Sequence, residues 1–163
     1  MTPTVETTDT PVIRSVTVSV GPQQAFRVFT DGFDTWWPRT HHIGKSPMKR
    51  AVIEPKEGGR CYTEQEDGTD CPWGTVTAWE PPRRLVIAWQ ITHDWSFEPD
   101  LSKSSEVEVL FTAQADGSTR VDLEHRHLGR MGAGAATMRT AISGDGGWGM
   151  LLTLFAARVA AAA

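Results

Sequence analysis

A chain of 163 residues, 39% hydrophobic and 22% charged, has the make-up of an ordinary globular protein and is long enough to bury a core. A net charge of −4 leaves no basic excess for a phosphate backbone, which argues against nucleic acid as a partner. Two cysteines, Cys61 and Cys71, are too few for a disulfide-built secreted fold. With no basic-then-apolar leader in the polar opening, a cytoplasmic protein with both thiols reduced and no membrane contact is expected.

Residues 1–11 read as a loose tail. Val12–Val20 reads as a strand, with Val12, Val16, Val18 and Val20 on one face and Arg14 an exception among them. Pro22 suits a first helical turn, and Ala25, Phe26 and Phe29 give the apolar stripe of a helix over Gln23–Thr30. Phe33–Trp37 predicts one more short helical turn, closed by Pro38. Thr40–Pro47 is a loop carrying His41, His42 and Lys45, placed to gate a pocket or hold an acidic group.

Six further strands follow. Met48–Glu54, Arg60–Glu66 and Trp73–Glu80 are separated by Glu57-Gly58-Gly59 and by Asp67-Gly68, where Pro72 suggests a longer, irregular connection. Leu85–Ile91 is apolar on both faces, as in a strand covered on both sides or lying at an interface. Val107, Val109 and Phe111 alternate with Glu106 and Glu108, and Asp116-Gly117 turns into a strand in which Val121, Leu123 and His125 share a face. Ala135–Ile142 reads as a short helix. In Gly144–Ala163, Trp148, Leu151, Leu152, Phe155 and Val159 form the stripe of an amphipathic helix, with Ser143 or Asp145 able to cap it. Strands joined by short turns are antiparallel, so the order predicts an α+β fold: six to seven curved strands around a long C-terminal helix, with two short helices after the first strand, all within one domain over 12–163.

Several motifs in this order carry a family resemblance. They are the helix with Ala25, Phe26 and Phe29; Trp36-Trp37; Glu57-Gly58-Gly59-Arg60; Gly74-Thr75-Val76; Pro81-Pro82-Arg83-Arg84-Leu85 leading to Trp89; and Gly147-Trp148. Together they resemble the START-like helix-grip (SRPBCC) superfamily, and within it the bacterial branch similar to the C-terminal domain of the heat-shock-protein-90 ATPase activator. The resemblance implies a hydrophobic cavity between sheet and last helix that binds a small apolar molecule. Some relatives are cyclases or hydrolases, and the branch's name suggests a chaperone contact.

Seven tryptophans against one tyrosine fit such a cavity, since tryptophan lines grooves well. The expected lining is Trp36 and Trp37 at the mouth, Trp89 and Phe111 on the sheet, Trp148 and Leu152 on the last helix, with Tyr62 and His125. Binding of a small hydrophobic or aromatic ligand is the leading expectation. The alternatives are a cyclase- or hydrolase-like enzyme using His125 as general base with Arg60 or Tyr62, and a protein-interaction module. His125 and His127 sit two apart, as on one strand face, with His93, Glu64 and His41 as further donors, but no spacing is that of a metal site. No cofactor or metal is expected. A homodimer is an open possibility.

Overall fold

The computed structural model describes residues 10–162, so the expected tail lies outside the described residues except for Thr10 and Pro11. Seven antiparallel strands form one sheet: β1 (Val12–Val18), β2 (Met48–Ile53), β3 (Arg60–Gln65), β4 (Asp70–Glu80), β5 (Arg84–Trp89), β6 (Ser105–Ala113) and β7 (Thr119–Arg126). Their order is β1-β7-β6-β5-β4-β3-β2, a meander in which β1 returns to the far edge beside β7. Helices α1 (Pro22–Thr30) and α2 (Phe33–Trp36) connect β1 to β2, and α3 (Ala135–Ser143) and α4 (Trp148–Ala162) follow β7. The sheet curls into a half-barrel around α4, the expected α+β helix-grip arrangement.

The helix stripe read from the sequence is the buried face of α4. Trp148, Leu151, Leu152, Phe155 and Val159 are all buried, and Phe155 is fully enclosed between Phe29 and Trp36, at ring distances of 5.2 and 5.5 Å. Phe26 and Phe111 extend this aromatic packing, so α1 and α2 plug one end of the space between sheet and helix.

Three local expectations change. Asp67-Gly68 closes a tight hairpin, with Gly68 at φ 90° and the Gln65 N–H donating to the Thr69 carbonyl at 2.9 Å. Pro72 lies inside β4 opposite Tyr62, where the register slips after Cys61; a bulge is where a residue without an N–H does least harm. Ser143 does not cap α4, because its hydroxyl donates back to the Arg139 carbonyl at 2.6 Å. The residue before α4 is Gly147, whose Cα lies so close to Ile142 that an added Cβ would stand 2.0 Å from that carbonyl oxygen. This corner between α3 and α4 closes only around glycine.

β5 is buried on both faces without a helix on the second. Val86 and Ala88 pair with Glu108 and Glu106, and these carboxylates are bridged by Arg84 and Arg126 at 2.8 to 3.0 Å. The aliphatic stems of such arginines cover apolar surface while their heads stay in water. Burial alone would raise the Glu108 carboxyl, but hydrogen bonds and charge from Arg84 and Arg126 hold it below its usual range. Cys61 and Cys71 are both free thiols, and burial pushes the Cys61 thiol up, leaving it inert.

Truncating Phe155 to alanine removes the ring on which α1, α2 and α4 meet. The variant should lose about 3–5 kcal/mol of stability in urea unfolding, the usual cost of an enclosed aromatic. A loss under about 1 kcal/mol would show that α4 is not the centre of this core.

Candidate functional site: an aromatic cavity under the last helix

The end of the sheet–helix space that the phenylalanines do not fill is a cavity of about 340 Å³. Five of the seven tryptophans line it: Trp37, Trp73, Trp89, Trp95 and Trp148. Ile43, Ile91, Ile142 and Leu151 supply aliphatic wall. Among the described residues the lining holds no lysine, arginine, aspartate or glutamate.

Each ring is placed by its element. Gly74 pairs with Trp89 across β4 and β5, which brings the preceding Trp73 within 5.6 Å of the Trp89 ring, edge to face. Trp148, the first residue of α4, lies 5.7 Å from Trp89. Trp37 ends α2, stacks parallel to Trp73 at 6.0 Å, and donates its indole N–H to the His41 carbonyl at 2.7 Å.

The mouth is built from the loop expected to gate it. His41 Nε2 meets the Gly146 carbonyl at 2.9 Å, and since a carbonyl only accepts, that nitrogen carries the proton. His41 Nδ1 then accepts from the Thr40 hydroxyl at 3.1 Å. Gln65, buried, donates to the Ser46 carbonyl at 2.6 Å and to His42 Nδ1 at 3.2 Å, and accepts from the Thr63 hydroxyl. Opposite, Trp95 is 51% exposed and takes a left-handed φ of 63°, a conformation bulky side chains rarely adopt.

His125 lies behind this wall. The Trp148 indole, which can only donate, gives its N–H to His125 Nδ1 at 3.0 Å, so the ring proton sits on Nε2 and points to the Ser105 hydroxyl at 2.7 Å. Both nitrogens are engaged and the ring is fully buried. Burial lowers its pKa to about 3, keeping it neutral. It packs 5.1 Å from Trp89, so the two residues expected to share a face do share it. The arrangement suits a structural anchor rather than a base within reach of a ligand.

Of the other residues expected to line the site, Trp37, Trp89 and Trp148 do. Trp36 is a core residue that donates to the Val28 carbonyl at 3.1 Å, and Phe111 lies among Phe26 and Phe29. Leu152 is buried beside the lining, while its neighbour Leu151, one step round the helix, reaches the cavity. Tyr62 stands outside the core cluster beneath the Arg60 guanidinium, 4.3 Å from its ring centre, because odd and even residues of β3 take opposite faces. Arg60 is exposed and faces Glu54 and Asp70. His127 does not share a face with His125. It ends β7 in a left-handed conformation and turns to Glu106 at 3.5 Å. Among the described residues no group of histidine, cysteine and carboxylate side chains is disposed to hold a metal.

A model of the family described as Activator of Hsp90 ATPase homolog 1-like protein matches residues 19–160. The chain belongs to this family. Among solved structures, the anthrahydroquino-gamma-pyrone synthase Txn09 is 38% identical, with a TM-score of 0.64, over 91% of this chain and 96% of that one. CalC from Micromonospora echinospora, a self-sacrificing resistance protein, is 32% identical at a TM-score of 0.66, over 95% and 97%. NE0264 from Nitrosomonas europaea, 15% identical at 0.65 over 94% and 96%, shares the fold. No curated protein matches the chain. Among the described residues no helix is long and apolar enough to cross a membrane.

Sequence reasoning missed Trp73, Trp95, Ile43 and Leu151 as lining. Trp73 carried a signal, the tryptophan surplus together with a place at the start of a strand neighbouring that of Trp89. Trp95 carried only the tryptophan surplus, since a position between two strands has no periodic face to aim it.

The buried His125 makes stability depend on pH. Its folded pKa lies below the ordinary 6.5, so the unfolded chain takes up a proton that the native chain refuses. This contribution is complete above about pH 6.5 and is lost as the pH falls toward 3. In His125→Gln, whose amide can still accept from Trp148 and donate to Ser105, it is absent. Between about pH 6 and 4.5, urea unfolding of the native chain should therefore steepen relative to the variant by about 1 kcal/mol per pH unit.

Proposed function

We propose that the chain binds a small, uncharged aromatic molecule in the tryptophan-lined cavity. The observation that carries this is the lining itself: five indoles, aliphatic wall between them, and no charged side chain. Indole faces stack on flat rings, and a site without countercharge penalises an ionised ligand. About 340 Å³ falls at the lower end of the range for small-molecule sites, room for a few fused rings. The likeness to Txn09, whose name describes a fused-ring pyrone product, supports the same ligand class.

A second reading, catalysis on such a molecule, is favoured by that same likeness to a synthase. His125 is poorly placed for it, with both nitrogens engaged behind the wall. The titratable side chains in the lining are His41 and His42, so acid–base chemistry at the mouth would fall to them. A chaperone contact rests on the family's description alone.

Two measurements test binding. Native mass spectrometry of freshly purified protein should show a retained small molecule, or fluorene supplied in equilibrium dialysis should bind and quench tryptophan emission. Ala141→Trp, which adds bulk to the wall beside Ile142, should weaken fluorene by about tenfold or more while the fold is kept. Binding unchanged in that variant would place the ligand elsewhere.

A further inference from the structure

The buried indoles of this protein divide into two groups. Trp36, Trp37 and Trp148 each donate the N–H to a named acceptor, the Val28 carbonyl, the His41 carbonyl and His125 Nδ1. Trp73 and Trp89 do not: their Nε1 atoms are buried and have no hydrogen-bond partner among the described residues. Both residues are 5% exposed, both line the cavity, and their rings lie 5.6 Å apart. Buried N–H groups nearly always find an acceptor, and an indole can neither titrate nor turn itself into one. Both rings line one cavity while their N–H groups lie beneath its surface, so a ligand that turns either ring would meet an unsatisfied donor.

We infer that the ligand presents a carbonyl oxygen to the N–H groups of Trp73 and Trp89, so that the cavity takes aromatic ketones, quinones or pyrones in preference to plain hydrocarbons. The inference rests on the proposal that the cavity binds an aromatic molecule, and adds what selects it. A carbonyl oxygen has two lone pairs and can satisfy both donors. A carboxylate would satisfy the indoles but find no cation in the lining. The acceptor requirement also explains why tryptophan, rather than phenylalanine, stands at both positions of this β4–β5 pair.

The test compares 9-fluorenone with fluorene, which differ by a carbonyl in place of a methylene. With the full chain, both should bind in equilibrium dialysis, and fluorenone should bind about tenfold tighter, the gain expected when buried donors find an acceptor. In proton–nitrogen spectra the indole signals of Trp73 and Trp89 should move downfield with fluorenone and not with fluorene. Trp73→Phe and Trp89→Phe keep an aromatic face and lose the donor, so each should lower the ratio of fluorenone to fluorene affinity, whatever happens to fluorene affinity itself. The spectra of the unaltered chain give the answer even where a variant does not fold, its indole signals being assigned through space. Equal binding of the two probes with both indole signals unmoved would overturn the carbonyl inference and leave the aromatic-ligand reading standing. Binding of neither probe would overturn both.

Discussion

The hydrogen bond from Trp148 to His125 is the join on which the site depends. It ties the first turn of α4 to β7 across the interior, and it is made between two groups that water cannot reach. A buried bond of this kind contributes modestly when made and costs heavily when one partner is left alone. It also fixes the imidazole tautomer, which in turn directs Nε2–H to Ser105 on β6. Helix and two strands are thereby held in one register, and the Trp148 and Trp89 rings are set at the angle that shapes the cavity wall. An inward-facing histidine, the most catalytic-looking residue in the sequence, serves here to position an indole.

The cavity exists because the core is divided. A curved sheet and a helix enclose a long space, and in this chain α1 and α2 deliver Phe26, Phe29 and Trp36 into one end of it, against Phe111 and Phe155. That end is packed solid. At the other end the tryptophans meet at 5.6 to 6.1 Å, Trp37 parallel to Trp73 and Trp89 edge to face with Trp73 and Trp148, an arrangement favourable to the rings yet too open to fill the volume between them. The packed end and the open end are therefore built by different rings, with Trp148 both lining the cavity and anchoring α4.

Periodicity made the architecture legible. The stripe of α4 and the alternation in β6 and β7 each name a buried face, and the order of elements then leaves one economical packing. The site was legible only in part, for physical reasons. Knowing that Leu151 and Leu152 are both buried does not say which meets the cavity, because that depends on a rotation of α4 smaller than one residue's step. Tyr62 is misplaced by the sequence because β3 buries polar Thr63 and Gln65 on the face it shares with Cys61 and carries its one aromatic on the other. Pro72, Trp95 and the α3–α4 corner depend on local backbone geometry, which no periodic pattern carries.

How the proposed ligand would reach the cavity follows from where the bonds are weak. Moving α4 would break the buried Trp148–His125 pair and unpack Phe155, a cost comparable to a large share of the stability of a domain this size. The mouth is closed differently. There a hydrogen bond from His41 to the Gly146 carbonyl links two loops 105 residues apart, and it is exposed, so water can replace it at a net cost of about 1 kcal/mol. The neighbouring His42 remains tethered through Gln65, and the His41 carbonyl through Trp37, which limits the opening to the His41 side chain. Trp95 on the facing loop lies half in solvent, free of the packing that fixes the other four indoles of the lining. Entry past the His41 side chain and Trp95 would leave the anchored wall of Trp37, Trp73, Trp89 and Trp148 undisturbed, so the part of the proposed site that would recognise a ligand need not be the part that admits it.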